Sequence, residues 1–118
     1  MTTDARAVLD LQISEKQFQQ QIVDLARMQG WKVHAVWNSR HSPAGWPDLF
    51  MIRNGVVLAW EVKREDGRAN PTEAQRAWLH ELRQIPGMRW WNAMVVRPSS
   101  WDFIVSILSG SEQCGRKR

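Results

Sequence analysis

Asn54-Gly55 constrains this chain more than any other pair of residues, because it lies between two runs that read as strands. Asn-Gly is the strongest short signal for a two-residue hairpin, since both residues accept the positive φ of a type I′ turn. The run before it, from about Pro47 to Arg53, and the run after it, from Val56 to about Lys63, are then antiparallel neighbours. The turn also sets their register. Arg53 faces Val56, and counting back from that pair puts Asp48 opposite Glu61. Facing Cβ atoms lie about 4.5–5.5 Å apart. Lys63, two residues past Glu61, points to the same face of the sheet.

The segments around this hairpin are legible from their periodicity. Residues 1–13 have no clean repeat and form an N-terminal extension that either frays or makes a short extra helix. Ser14 opens a helix with a capping-box partner at Gln17, and Phe18, Ile22, Leu25 and Ala26 follow at helical spacing until Gly30 stops it. Trp31–Trp37 reads as a strand, and Asn38–Gly45 as a loop. After the hairpin, Arg64–Pro71 is a loop. Thr72 starts a second long helix that carries Trp78, Leu79, Leu82 and Ile85 on one face and ends at Gly87. A strand from about Arg89 to Val96 and a last helix near Trp101–Leu108 complete the pattern. The order α-β-β-β-α-β-α predicts an α/β fold, a mixed sheet flanked by helices. The helical crossover suits a parallel pairing of the third and fourth strands.

At 118 residues the chain has the length of one domain, and 43% apolar content suits a globular one. The expected divisions are the extension 1–13, a domain over 14–108, and a disordered basic tail over 109–118. No apolar run reaches the roughly 18 residues needed to span a bilayer. A signal peptide's basic start and apolar stretch are missing, so the expectation is a cytoplasmic protein with no membrane partner. The single cysteine, Cys114, excludes an internal disulfide and a multi-cysteine zinc cage. A net charge of +4 favours a polyanionic partner such as nucleic acid. Eight tryptophans and no tyrosine are more indole than one small core holds, which leaves two readings: most pack in the core or at its rim, or a few stack on bases or fill a dimer interface.

The trio of Asp48, Glu61 and Lys63 carries the chemistry. Like charges placed opposite each other destabilise a strand pair, and Glu61 and Lys63 end an otherwise apolar strand where solvated charges are out of place. A divalent cation removes the repulsion. Mg²⁺ is typically held by one or two carboxylates together with substrate phosphates and waters, and there it polarises a phosphodiester and acidifies a water. Lys63 is placed to orient that water or to stabilise charge developing on phosphorus. Arg40 and His41, in the loop before the site, and Arg64 and Arg68, just after Lys63, are candidate DNA phosphate contacts. His34 and His41 with Asn38 do not make a His-Asn-His metal finger, because the ββα frame it needs is missing; His34 reads as a strand residue.

Pro47-Asp48, twelve further residues and then Glu61-Val62-Lys63 resemble the PD-(D/E)XK nuclease signature. Gly30-Trp31, Gly45-Trp46-Pro47-Asp48-Leu49, Pro71-Thr72-Glu73-Ala74-Gln75 and Arg97-Pro98 extend the resemblance, over roughly residues 14–108, to the virus-type replication-repair nuclease (VRR-NUC) branch. The resemblance implies a restriction-endonuclease-like core and a DNA endonuclease dependent on Mg²⁺ or Mn²⁺. It implies a structure-selective enzyme acting on branched or four-way-junction DNA, in a bacterial or phage-infected cell. By position, Asp48, Glu61, the backbone carbonyl of Val62 and Glu15 hold metal, Lys63 positions the attacking water, and Gln75 matches the glutamine that follows the catalytic strand. Gln75 is also the third helical position of a Thr72 capping box, and Glu15 also suits the positive end of its helix. A homodimer is expected, since two-fold symmetry places two active sites on a symmetric substrate. The alternatives are a catalytically inactive nucleic-acid-binding module on the same fold and an interaction domain whose tryptophans bind protein.

Overall fold

A computed structural model of the chain describes residues 2–66 and 70–110. Asn54 and Gly55 have φ of 50° and 80°, as a type I′ turn requires, and join β2 (Leu49–Arg53) to β3 (Val56–Val62). Their pairing runs from Arg53↔Val56 to Leu49↔Trp60, in the register the turn dictates. β1 (Lys32–Ala35) lies antiparallel on the outer side of β2, and β4 (Ala93–Val96) lies parallel to β3 on the other. The sheet is therefore mixed, in the order β1-β2-β3-β4.

Four helices flank it: α1 (Thr2–Gln12), α2 (Glu15–Met28), α3 (Glu73–Arg83) and α4 (Trp101–Ser109). α2 begins with the expected capping box between Ser14 and Gln17. It ends in a Schellman motif, in which Trp31 N–H donates to the Ala26 carbonyl and Gly30 N–H to that of Arg27. α2 and α4 cover one face of the sheet, burying Phe18, Ile22, Ile104 and Leu108 against Leu49, Leu58, Trp60 and Val62. α3 covers the other face through a smaller cluster of Leu79, Ala59 and Ala93. Because side chains alternate along β3, Leu58, Trp60 and Val62 enter the main core while Ala59 and Glu61 face α3.

The N-terminal extension takes the helical of its two expected forms, as α1. Several boundaries differ from those expected. β4 starts at Ala93 rather than Arg89, because Asn92 closes a turn: its Oδ1 accepts from Arg89 N–H at 2.6 Å, and its Nδ2 donates to the Val57 carbonyl at 2.7 Å. β1 is likewise shorter than Trp31–Trp37, although it does contain His34. Ile85 lies past the end of α3 and is 50% exposed, so it is not part of the buried helix face. Ser109 closes α4 and Gly110 caps it, so these two residues do not belong to a disordered tail. Residues 111–118, with Cys114 and the terminal basic cluster, lie outside the described residues. No helix among the described residues is long and apolar enough to cross a membrane.

At the end of the sheet formed by the β2–β3 turn, Arg53 ties helix ends together. Its Nη1 donates to the carbonyls of Gln29 (2.7 Å) and Leu108 (3.0 Å), near the C-termini of α2 and α4, and its guanidinium stacks on Trp31 at 4.7 Å. A cation at two helix C-termini is well placed electrostatically. This end of the sheet is given over to stability, and the opposite end carries the charged trio.

Candidate active site

Asp48 immediately precedes β2 and lies one step beyond the last paired residues, Leu49↔Trp60. Its backbone carbonyl accepts from Val36 N–H (2.8 Å), so it continues the β1 side of the ladder. On the β3 side its carboxylate replaces the backbone, and Oδ2 accepts from Val62 N–H at 2.9 Å. The hairpin register thus brings Asp48 to Glu61, with the detail that the side chain of Asp48, not its peptide, closes the pairing.

Glu61 is 2% exposed. Its Oε2 accepts from Gln75 Nε2 at 2.6 Å and lies 3.7 Å from Lys63 Nζ. Its Oε1 is buried and, among the described residues, no donor reaches it. Burial, then the charge of Asp48 and a hydrogen bond between the two carboxyls, push the Glu61 carboxyl up to about 8; Lys63 opposes this, and the charge of Glu15 adds to it. Two carboxyls and one orphaned oxygen in a desolvated spot call for either a shared proton or a cation.

Gln75 forms its capping box and also bonds to Glu61. Its Oε1 accepts from Thr72 N–H at 2.8 Å, completing the capping box of α3, while its Nε2 reaches Glu61. The start of α3 is therefore fixed to the carboxyl pair through one amide. The loop before Asp48 is held against the same helix. Gly45 has φ +84°, and a Cβ there would fall 2.4 Å from the Ala74 carbonyl carbon. Trp78 donates its indole N–H to the Ala44 carbonyl (3.0 Å), and Trp46 packs edge-on against Trp78 and stacked on Phe50.

The remaining candidates are less tightly gathered. Glu15, in the first turn of α2, is near enough for its charge to act on Glu61. Among the described residues, however, no three His, Cys, Asp or Glu side chains form a ready metal cage. Arg40 and His41 are exposed in a short 3₁₀ turn that follows Trp37. Arg64 is exposed, with its carbonyl accepting from Arg97 Nη1 at 2.6 Å. Arg68 lies outside the described residues.

A hard divalent cation fits this donor set. Mg²⁺ needs only one or two protein carboxylates, with waters and phosphate completing its shell. The unpartnered Glu61 Oε1 beside Asp48 is the kind of oxygen such an ion would satisfy. Asp48, Glu61 and the Val62 carbonyl are the groups that would hold it, with Glu15 contributing charge from α2.

Sequence reasoning missed the cleft beside this site. A hollow of about 480 Å³ opens between Trp37, Pro43 and Trp46, and Asp48 and Gln75 line its inner end. Only the surplus of tryptophan hinted at it. No family model, curated protein or solved structure matches the chain.

Proposed function

We propose that the protein is a metal-dependent nuclease of the PD-(D/E)XK type, of VRR-NUC character and restriction-endonuclease-like core, that hydrolyses DNA phosphodiesters. The observation that carries this reading is the buried Glu61 carboxyl, which has one oxygen without a partner and lies against Asp48 with Lys63 3.7 Å away. As a purely structural element this arrangement is costly, because a buried carboxyl set beside a second carboxyl is destabilising unless something compensates it.

When Mg²⁺ or Mn²⁺ is bound, the chemistry it supplies is polarisation of a phosphodiester and acidification of a water. The chain's own residues do the rest. Asp48 and Glu61 present oxygens on one sheet face, at a separation set by the hairpin. Gln75 holds Glu61 Oε2 so that Oε1 stays directed to the ion. Lys63, anchored by Glu61, is placed to orient the attacking water and to stabilise charge developing on phosphorus. Arg40, His41 and Arg64 are exposed cations available to phosphates on either side.

A two-fold homodimer remains part of the proposal, because one such site cuts one strand. Of the eight tryptophans, Trp37 and Trp90 are exposed and so accessible to a second copy. The direct test is cleavage of labelled linear, flapped and four-way-junction DNA in Mg²⁺, Mn²⁺ or EDTA. Wild type should cut only with metal, and Lys63→Ala should lose at least about a hundredfold in rate, within the range for positioned electrostatic groups. DNA binding without cleavage by either protein would replace the enzyme with a binding module.

A further inference from the structure

The eight tryptophans can now be apportioned. Trp31, Trp60 and Trp78 donate their indole N–H groups to backbone carbonyls. Trp46, Trp90 and Trp101 each have an aromatic ring partner, and Trp91 packs against the main core. Among the described residues, Trp37 has neither a hydrogen bond nor a ring partner for its indole. It lies just beyond β1, is 45% exposed, and forms one wall of the cleft whose inner end is Asp48 and Gln75. A half-exposed indole that makes no hydrogen bond or ring contact among the described residues, lining a hollow together with Asp48 and Gln75, is available to a ligand.

The ligand's chemistry follows from the surroundings. The hollow is open, and its lining combines an indole, Trp37, with Asp48 of the charged trio. A base in continuous duplex is stacked on its neighbours and cannot present its face to such a wall. An unpaired base can, and aromatic walls beside a backbone track are how single strands are held without sequence preference. Resting on the nuclease reading of the site, we propose that Trp37 stacks on an unpaired nucleobase adjacent to the scissile phosphate. The substrate is then DNA with single-stranded character at the cut, such as a flap, a branch point or a single strand, and not continuous duplex. Trp37 is a specificity-determining residue, while Asp48 and Gln75 join the hollow to the metal-binding groups.

The test uses fluorescein-labelled flapped and blunt DNA duplexes, with wild type, Trp37→Ala and Trp37→Phe, and binding read by anisotropy in EDTA. A second flap series carries one abasic nucleotide moved stepwise across the unpaired arm. Trp37→Ala should lose on the order of tenfold in affinity for the flap, as expected for one base–aromatic stack, and Trp37→Phe should keep most of it. One abasic position should produce the same loss in wild type and no further loss in Trp37→Ala. Equal losses on flap and blunt duplex, or indifference to every abasic position, would overturn the proposal. Cleavage is assayed separately in Mg²⁺, which keeps the two ideas apart. Cutting that ignores Trp37 removes the stacking platform and leaves the nuclease. A Trp37- and base-dependent affinity in a protein that never cuts removes the nuclease and leaves the platform.

Discussion

The two faces of β3 are made by one strand and do opposite work. Leu58, Trp60 and Val62 are fully buried under α2 and α4, in an apolar core whose indole N–H groups, those of Trp31 and Trp60, are paired with backbone carbonyls. One residue out of phase, Ala59 and Glu61 face α3, where the packing is thin and the buried group is a carboxyl with an orphaned oxygen. The apolar face supplies the rigidity that lets the polar face hold an unfavourable group in place. Strand alternation therefore separates stability from chemistry without a second domain.

The largest expected effect probes the polar face through pH. In the metal-free protein Glu61 keeps its proton up to about 8, whereas in the unfolded chain it releases it near 4.5. The folded state thus holds a proton that the unfolded state has lost. The associated stability is complete below about 4.5 and declines as pH rises through about 8, by a few kcal/mol in all. Urea unfolding in EDTA should show this slope for wild type, and Glu61→Gln should flatten it and be the more stable protein above pH 8. Next is the apolar face. Leu58→Ala should cost about 3 kcal/mol in the same titration and leave the midpoint of Mn²⁺ binding unchanged, since Leu58 does not face the site. Gly45→Ala crosses the divide. Its Cβ would meet the backbone of Ala74 at 2.4 Å and Gln75 N at 2.7 Å. It should cost about 2 kcal/mol and, by displacing Gln75 from Glu61, weaken Mn²⁺ binding as well.

The hairpin shows why much of this was legible in the sequence. Asn54-Gly55 admits few turn geometries, so the register of β2 on β3, and with it the approach of Asp48 to Glu61, follows from local chemistry. The caps of α2 and α3 were equally local, and Ser14–Gln17 and Thr72–Gln75 both form as their spacing requires. What escaped notice depends on contacts distant in sequence. The donation of Gln75 Nε2 to Glu61 and the seating of Gly45 on α3 arise only once α3 is docked, and the Asp48 bond to Val62 N–H depends on a side chain closing the ladder in place of the backbone. The fate of each tryptophan is likewise a tertiary matter. Trp37 and Trp31 bracket the same predicted strand, yet Trp31 is 4% exposed under Arg53 and Trp37 is left in the wall of a cleft. The early end of β1 and the Asn92 turn reflect side chains competing with the ladder, which strand propensity alone does not register.

If the Asp48–Glu61 pair seats a divalent cation, calorimetric titration of the DNA-free protein with Mn²⁺ will register it. Wild type should bind at one site, Asp48→Asn and Glu61→Gln should each abolish or severely weaken that site, and Leu58→Ala should keep it. Binding that survives both carboxylate substitutions, or no binding by wild type up to millimolar Mn²⁺ with or without DNA, would contradict the account.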